Sequence, residues 1–337
     1  MVANLNSNDS HAGETVRIGN MFRLVRREFT DRSFQSRALS LGILLIVRPL
    51  LNAMALTLGA PWPYSAVDHL GRVLRSAPGT TRTPVVLRNC RAEITTPQNV
   101  RGDRYVIYMH GGAFLVGGRH LHSQMISHLA RDLSAEILGV NYRKMPQHSI
   151  PDAVEDCLDA YRHVLASGVR AEDISFVGDS AGAYLVFMTA IAAGEQGLPM
   201  PAAIVSMAPL TEFELEMKLA APSAKKDPLF SKLTARRLFE LMESLPGTPR
   251  PLVGADCTGL PPSLIQVSST EMLYRDAERF AAELDRFGVP CELQVWHGQV
   301  HIFQAAARIV PEAARAMSEI VEFIDRTLAA KSVARPA

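Results

Sequence analysis

Ser180 is the residue whose neighbours most clearly indicate chemistry. It is the centre of a Gly-Asp-Ser-Ala-Gly sequence at residues 178–182, after a short β-rich run and before a helical one. At a strand-to-helix turn, glycines two residues either side let neighbouring backbone pass closely and leave the serine hydroxyl exposed. The pattern therefore predicts a nucleophilic serine, with N–H groups of the helix start facing any negative charge that develops beside it.

A serine nucleophile needs a base, and imidazole suits this role because its pKa lies near neutrality. Of the ten histidines, His297 and His301 follow Ser180. Where the chain order is nucleophile, acid, histidine, these two are the candidates. His297 satisfies the spacing, but we favour His301, because it lies past Gly298 in the loop whereas His297 adjoins the last predicted strand.

The acid is expected between the serine and the histidine, in the loop after the preceding strand. That strand is predicted at 264–267, so Glu271 falls in the loop and Asp276 one turn into the following helix. Glu271 is the better placed carboxylate to accept a hydrogen bond from the histidine and fix its tautomer. Asp276 lies in the first turn of the helix, so an interaction with the helix dipole suits it better than the role of catalytic acid.

Acyl transfer also needs donors for an oxyanion. A predicted buried strand at 105–109 ends in His-Gly-Gly-Ala-Phe at 110–114, where a glycine pair lets backbone N–H groups face a ligand. The predicted donors are the N–H groups of Gly111, Gly112 and Ala181.

The elements that position these residues alternate between short β-rich runs and helices from residue 85 onward. This alternation predicts an α/β fold with a mostly parallel, eight-stranded sheet and helices on both faces. The predicted strands are 85–87, 92–95, 105–109, 135–140, 174–177, 203–207, 264–267 and 292–295, the first two antiparallel. The predicted helices are 122–133, 153–166, 181–194, 274–287 and 312–329.

Two helix-rich apolar segments, 17–75 and 211–245, fall outside the alternation. Ligands of open α/β sheets bind beyond the carboxyl ends of the strands, so both segments are expected to roof that crevice as a helical cap. The predicted division is an N-terminal tail and first cap part, a first core part, a second cap part and a second core part, at 1–75, 76–210, 211–245 and 246–337.

Composition argues for a globular enzyme-sized chain without a polyanionic partner. The 337 residues are 47% hydrophobic, and 35 basic against 34 acidic residues leave a net charge of +1. Nothing in this balance favours nucleic acid. The four cysteines form no CxxC pair, so neither a zinc site nor a disulfide framework is expected, and reduced thiols fit a cytoplasmic setting.

The N-terminal region raises the question of a membrane. Its first fifteen residues are polar, so no cleaved export signal is expected, and Arg48-Pro49 interrupts the apolar run 38–58 where a membrane span is most apolar. The basic amphipathic stretch Met21–Arg37 could rest on an anionic membrane surface. A solvated helix face is the interpretation we prefer.

Over residues 35–330, the sequence resembles the hormone-sensitive-lipase-like branch of the α/β-hydrolases, in particular its bacterial esterases. The resemblance rests on the motifs at 110–114 and 178–182, on Tyr142-Arg143 with Pro146, His148 and Pro151, on Asp-Pro-Leu at 227–229, and on the segments 294–296 and 301–304. It implies a Ser180–Glu271–His301 triad, an oxyanion hole at Gly111, Gly112 and Ala181, and a helical cap. Glu271 stands where many members have aspartate, and Ala113 replaces a third glycine.

The resemblance implies a serine carboxylesterase that cleaves small-molecule esters of short or medium acyl chains through an acyl-enzyme, with no metal or organic cofactor. Candidate acyl-pocket residues are Phe114, Phe213, Leu215 and Phe230, whose alternative role is packing within the cap. A homodimer through the edge of the last strand, 292–295, is a further expectation. The alternatives are an N-acetyl or amide hydrolase, a membrane-surface lipid hydrolase, and a non-catalytic receptor, which the presence of His301 disfavours.

Overall fold

Nine strands form one sheet in a computed structural model that describes residues 24–58, 64–73 and 76–333. The strands are β1 (Leu24–Phe29), β2 (Thr80–Val86), β3 (Arg91–Pro97), β4 (Tyr105–Met109), β5 (Glu136–Asn141), β6 (Ile174–Asp179), β7 (Ala203–Met207), β8 (Ser263–Ser268) and β9 (Cys291–Trp296). Their order across the sheet is β1-β9-β8-β7-β6-β4-β5-β3-β2. All eight predicted strands are present, and their mostly parallel arrangement is confirmed. The predicted strand number is wrong, because β1 adds a ninth.

The antiparallel pairs lie at one end of the sheet, where β3 pairs with both β2 and β5. The other adjacent strands are parallel. Because β4, β6, β8 and β9 are all parallel, their carboxyl ends meet at one edge of the sheet. That edge is where the sequence places the loops carrying the candidate catalytic residues.

The strand β1 occupies part of the stretch expected to be a basic amphipathic surface. Its arginines face acidic side chains of the fold: Arg26 donates to Glu278 at 2.8 Å, and Arg27 donates to Glu292 at 2.9 Å. The positive charges of Arg26 and Arg27, which suggested binding to an anionic membrane, are therefore paired with acidic side chains of the same protein. The strand β1 also pairs with β9 along its length, so the edge of the last strand, through which a homodimer was expected, is occupied by the chain itself.

Helices cover both faces of the sheet, each over its own apolar cluster. The helices α4 (Ile150–Ala166), α5 (Ala181–Glu195) and α8 (Tyr274–Arg286) pack on one face, whereas α3 (Ser123–Leu133) and α9 (Pro311–Val333) pack on the other. The remaining described helices are α1 (Phe34–Leu56), α2 (Tyr64–Leu70), α6 (Leu215–Ala220) and α7 (Lys232–Ser244). This two-faced cover agrees with the predicted fold class.

The helix α1 runs through Arg48-Pro49 without a break, contrary to the interruption predicted there. A π-helical turn at Ile43–Val47 precedes the proline, and the Arg48 N–H reaches back to the Ile43 carbonyl. This wider turn accommodates a residue that lacks an N–H and crowds the preceding carbonyls. By length and composition alone, α1 is the one helix of the described segments that could cross a membrane.

The two predicted cap segments meet above the carboxyl edge of the sheet. Asn52 of α1 accepts a hydrogen bond from Thr234 of α7 at 2.8 Å. Arg48 donates to the Asp227 carbonyl at 3.2 Å. Residues 24–29, which the predicted division assigns to the first cap part, belong to the sheet. Residues 1–23 of that part lie outside the described residues.

Candidate active site

Ser180 occupies a sharp turn between β6 and α5. Its backbone has φ +52° and ψ −114°, a conformation that non-glycine residues rarely adopt. The turn requires glycine nearby, since a Cβ on Gly182 would lie 1.9 Å from the Met109 carbonyl oxygen. The Ser180 N–H donates to the Met207 carbonyl at 2.7 Å. This arrangement fixes the strained turn and leaves the hydroxyl at the carboxyl edge of the sheet.

The structure brings Ser180, His301 and Glu271 together in one hydrogen-bonded chain. Nε2 of His301 lies 2.9 Å from the Ser180 Oγ, and Nδ1 contacts the Glu271 carboxylate. The second oxygen of Glu271 accepts from the Ser268 N–H at 2.6 Å. Both His301 and Glu271 are buried. With Nδ1 protonated towards Glu271, Nε2 can accept the serine proton.

Burial and neighbouring charges set the pKa values of Glu271 and His301. Burial raises the pKa of Glu271 above its ordinary value, against the opposing effect of His301. Burial alone would lower the pKa of His301, but the carboxylates of Glu271, Asp227 and Asp179 outweigh it and raise that pKa. The site therefore stabilises the imidazolium that forms when His301 takes the serine proton.

The two residues left as alternatives lie elsewhere. The ring of His297 is 43% exposed and pairs with Glu28 of β1. Asp276 is buried against the ammonium group of Lys218 and accepts from the Thr211 N–H at 3.0 Å. Neither side chain contacts Ser180, so the geometry agrees with His301 and Glu271 as the preferred pair.

The two glycines after β4, Gly111 and Gly112, have different contacts. The N–H of Gly111 donates to the Asp179 carboxylate at 3.0 Å, so this predicted oxyanion donor is already engaged. Gly112 and Ala113 line the cavity beside Ser180, at φ +120° and +54°. Ala181 begins α5 directly after Ser180. The Gly111 N–H is thus occupied by Asp179, and the N–H groups of Gly112, Ala113 and Ala181 are the remaining candidates for the oxyanion hole.

Sequence reasoning missed the structural role of Asp179. Its buried carboxylate accepts from the Tyr108 hydroxyl at 2.7 Å as well as from Gly111, and it lies 3.4 Å from the His122 ring nitrogen. Burial would raise the pKa of Asp179, but His122 and these donors lower it. The signal in the sequence was the aspartate before Ser180, which the motif alone does not connect to the loop at 110–114.

Asp227 is a second residue whose role the motifs did not reveal. One carboxylate oxygen accepts the N–H groups of Leu229 and Phe230 at 2.8 and 3.0 Å, and the other accepts the Met272 N–H at 2.8 Å. Met272 directly follows Glu271. Asp227 therefore ties the loop entering the cap to the loop that carries the candidate acid.

A cavity of about 300 Å³ opens over Ser180 and His301. Its apolar lining comes from α1 and the turn after it, the loop at 112–121, and the second cap segment; examples are Leu51, Met54, Leu58, Val116, Leu229, Phe230 and Leu238. Of the four predicted pocket residues, only Phe230 lies in this lining, with its ring edge-on to His301 at 5.2 Å between centroids.

The other three predicted pocket residues pack elsewhere, which corrects that prediction. Phe114 is fully buried and lies edge-on to Tyr184 at 5.7 Å. Phe213 contacts the same tyrosine and lines a separate cavity. Leu215 packs on the small cluster of Leu219, Ala235 and Met272. The sequence could not show which of the four predicted residues line the cavity and which pack in the core, because all four are apolar.

The chain is similar in sequence and fold to known α/β-hydrolases. A model of the alpha/beta hydrolase fold matches residues 106–305. The chain is 39% identical over 293 residues to the esterase LipU of Mycobacterium tuberculosis, covering 83% of this chain and 98% of that protein. It is 35% identical over 310 residues to the carboxylesterase/phospholipase LipF of the same organism, with coverage of 87% and 82%.

An acetyl-hydrolase of Streptomyces hygroscopicus is 33% identical over 245 residues, which cover 71% of this chain and 81% of that protein. Among solved structures, a hormone-sensitive lipase from a metagenome library superposes with a TM-score of 0.77 at 29% identity, covering 88% of this chain and all of that one.

Proposed function

The chain belongs to the α/β-hydrolase family, among its hormone-sensitive-lipase-like esterases, and is a hydrolase of carboxylic esters; from this we propose that it acts through an acyl-enzyme on Ser180. The observation that carries the proposal is the hydrogen-bonded chain from Ser180 through His301 to Glu271. It supplies a nucleophile, a base and an orienting carboxylate in the geometry that acyl transfer needs.

In the first half-reaction, the Ser180 Oγ forms a bond to the ester carbonyl carbon while its proton passes to Nε2 of His301. Glu271 holds the ring and stabilises the imidazolium. The N–H groups of Gly112, Ala113 and Ala181 would stabilise the negative carbonyl oxygen. When the tetrahedral intermediate collapses, the ester C–O bond breaks and His301 returns the proton to the departing alcohol.

In the second half-reaction, water replaces the alcohol. His301 takes a proton from water as its oxygen attacks the acyl carbon, and the bond from that carbon to Oγ then breaks. The proton on His301 returns to Ser180, and the carboxylic acid leaves. This chain supplies every group that these steps use, so the proposed reaction requires no metal or organic cofactor.

The cavity supports a short or medium acyl chain as substrate. Its lining is apolar apart from the reacting residues and a few polar side chains, and its volume of about 300 Å³ lies at the lower end of the usual range for ligand sites. Hydrolysis of p-nitrophenyl esters from C2 to C16 should therefore be fastest for the shorter chains.

Replacing Ser180 by alanine tests the nucleophile. Turnover of p-nitrophenyl butyrate should fall to the background of the assay, and a fluorophosphonate probe should label the unaltered chain at Ser180 but not the variant. Unaltered circular dichroism would show that the variant folds. Labelling at another residue, or undiminished turnover, would refute the assignment.

Amide or N-acetyl hydrolysis is the second candidate, because the same groups serve acyl transfer from either leaving group. Its support is the similarity to the acetyl-hydrolase of S. hygroscopicus. A p-nitrophenyl ester and a p-nitroanilide with the same acyl group would separate the two functions. A higher kcat/KM for the anilide would favour the amidase.

A further inference from the structure

The helix α1 presents many apolar side chains to the surroundings, and the surface that they form is here called the outer face. Eight large apolar residues of this helix are between 38% and 83% exposed, whereas elsewhere in the described residues such side chains are exposed singly. Scattered exposure is normal, but a contiguous patch marks a binding surface. The eight residues are Phe34, Leu41, Leu44, Leu45, Ile46, Val47, Leu50 and Leu56.

Three polar side chains of α1 point towards the protein, whereas Gln35 and Arg37 on its first turns are exposed. Ser36 donates to the side chain of Gln299 at 2.7 Å, Arg48 donates to the Asp227 carbonyl, and Asn52 accepts from Thr234. A helix that faces water has the reverse arrangement, with its apolar stripe inwards. The outer face is therefore suited to an apolar environment, and the inner contacts hold the helix along the protein body.

Charge along α1 favours an anionic surface. No acidic residue occurs from 34 to 67, whereas Arg37 is exposed on the first turns of α1; just before the helix, Arg32 and Asp31 are both exposed and offset each other. Helices that lie in a membrane interface combine exposed apolar residues with arginine or lysine in this way. Because Arg48 and Asn52 are bound to the cap, α1 would lie along a bilayer and not cross it.

The helix also connects this surface to the candidate active site. Leu51, Met54 and Ala55 of α1, and Leu58 just after it, line the cavity above Ser180 and are not among the eight exposed residues. An acyl chain leaving a bilayer would have only the width of one helix to pass, about 10 Å. We propose that the outer face of α1 docks on anionic phospholipid membranes and gives Ser180 access to acyl esters held there; the delivery step, unlike the docking, rests on the proposed esterase function.

Vesicle flotation of the full chain tests the docking. The probes are vesicles of phosphatidylcholine alone and of phosphatidylcholine with phosphatidylglycerol in equal parts. The test variant is Leu45→Glu with Ile46→Glu, whose side chains are both 65% exposed and absent from the cavity lining. The matched control is Val86→Glu with Ile309→Glu, two apolar residues on other surfaces that are 81% and 65% exposed.

The unaltered chain and the control should bind the anionic vesicles more tightly than the neutral ones. The test variant should bind them about tenfold more weakly or worse. Turnover of soluble p-nitrophenyl butyrate should be unchanged in both variants, which shows that they fold, while hydrolysis of a vesicle-borne acyl ester should fall with binding in the test variant alone.

Several results would overturn the proposal. These are no binding of the unaltered chain to anionic vesicles, equal binding of the test variant, or a dimer in light scattering that the test variant dissociates while vesicles are not bound. The last result would assign the outer face to a second copy of the chain. Vesicle binding without soluble ester turnover would support the docking and refute the esterase function separately.

Discussion

The carboxylate of Asp179 accepts the N–H of Gly111 at 3.0 Å, which joins the residue before the nucleophile to the loop beside it. Only glycine allows this approach, since a Cβ on Gly111 would lie 2.2 Å from the Asp179 oxygen. The nucleophile turn and the loop that carries the candidate oxyanion donors are therefore held in one fixed relation.

Replacing Asp179 tests this relation. In Asp179→Ala, Gly111 and Tyr108 lose their acceptor, so kcat for p-nitrophenyl butyrate should fall about 100-fold, and the free energy of unfolding should fall by about 3 kcal/mol. Asp179→Asn keeps an acceptor oxygen and should recover most of the rate. Stopped assays and urea titration measure both effects. Equal rate losses in the two variants would show that the charge, not the hydrogen bond to Gly111, matters.

The pH profile should reflect the charge around His301. Catalysis needs the neutral ring in the free enzyme, and the neighbouring carboxylates raise the pKa of His301 above its ordinary value of about 6.5. The acid limb of kcat/KM should therefore have its midpoint above about 6.5, with activity lost as pH falls through it. A midpoint clearly below that value would contradict the assigned environment.

Glu271 and Asp276 should fail in different ways when neutralised. Glu271→Gln removes the partner of His301, so kcat should fall about 1,000-fold or more, and the remaining acid limb should move to lower pH because burial then dominates the histidine pKa. Asp276→Asn instead leaves the buried ammonium of Lys218 without its carboxylate and should lower the free energy of unfolding by about 3–5 kcal/mol.

Kinetics and urea unfolding of both variants check this division. Below the denaturation midpoint, Asp276→Asn should retain a kcat within a few fold of the unaltered chain. If Asp276→Asn loses activity as severely as Glu271→Gln while still folded, the identification of the acid is wrong.

Phe230 should limit the acyl chain. The ring lines the cavity and lies edge-on to His301, so Phe230→Ala should enlarge the cavity and raise kcat/KM for C8 relative to C4 p-nitrophenyl esters about tenfold. Phe213→Ala is the matched control, since that ring lines a different cavity and should leave the C8 to C4 ratio unchanged. The same shift in both variants would mean that the cap loosens as a whole.

Much of the sheet and of the site could be predicted from the sequence, because the governing signals are local. Buried parallel strands appear as short β-rich runs, and Ser180 is marked by its glycines. The order nucleophile, acid, histidine along the chain then leaves few candidates for the base and the acid, among them His301 and Glu271. The resemblance implied the same triad and the same two-part cap that the residues had already indicated.

What could not be predicted depends on contacts between distant residues. The arginines of β1 suggested an amphipathic surface, and only the fold shows that Glu278 and Glu292 pair with them. Likewise, Gly111 and Gly112 are equivalent in the sequence until the position of Asp179 separates their roles. Pro49 predicts a helix break unless the π-helical turn before it is known.

The pairing of β1 with β9 has a consequence for how the protein is made. Arg27 and its partner Glu292 are 265 residues apart, so β1, the first strand of the described residues to leave the ribosome, is among the last to find its place. Until then, the apolar surface of α1 is carried by a segment that has no sheet to join. Early synthesis therefore exposes an aggregation-prone segment that a chaperone or a membrane could shield, and cutting away the N-terminal strand would leave β9 with the unpaired edge that natural sheets avoid.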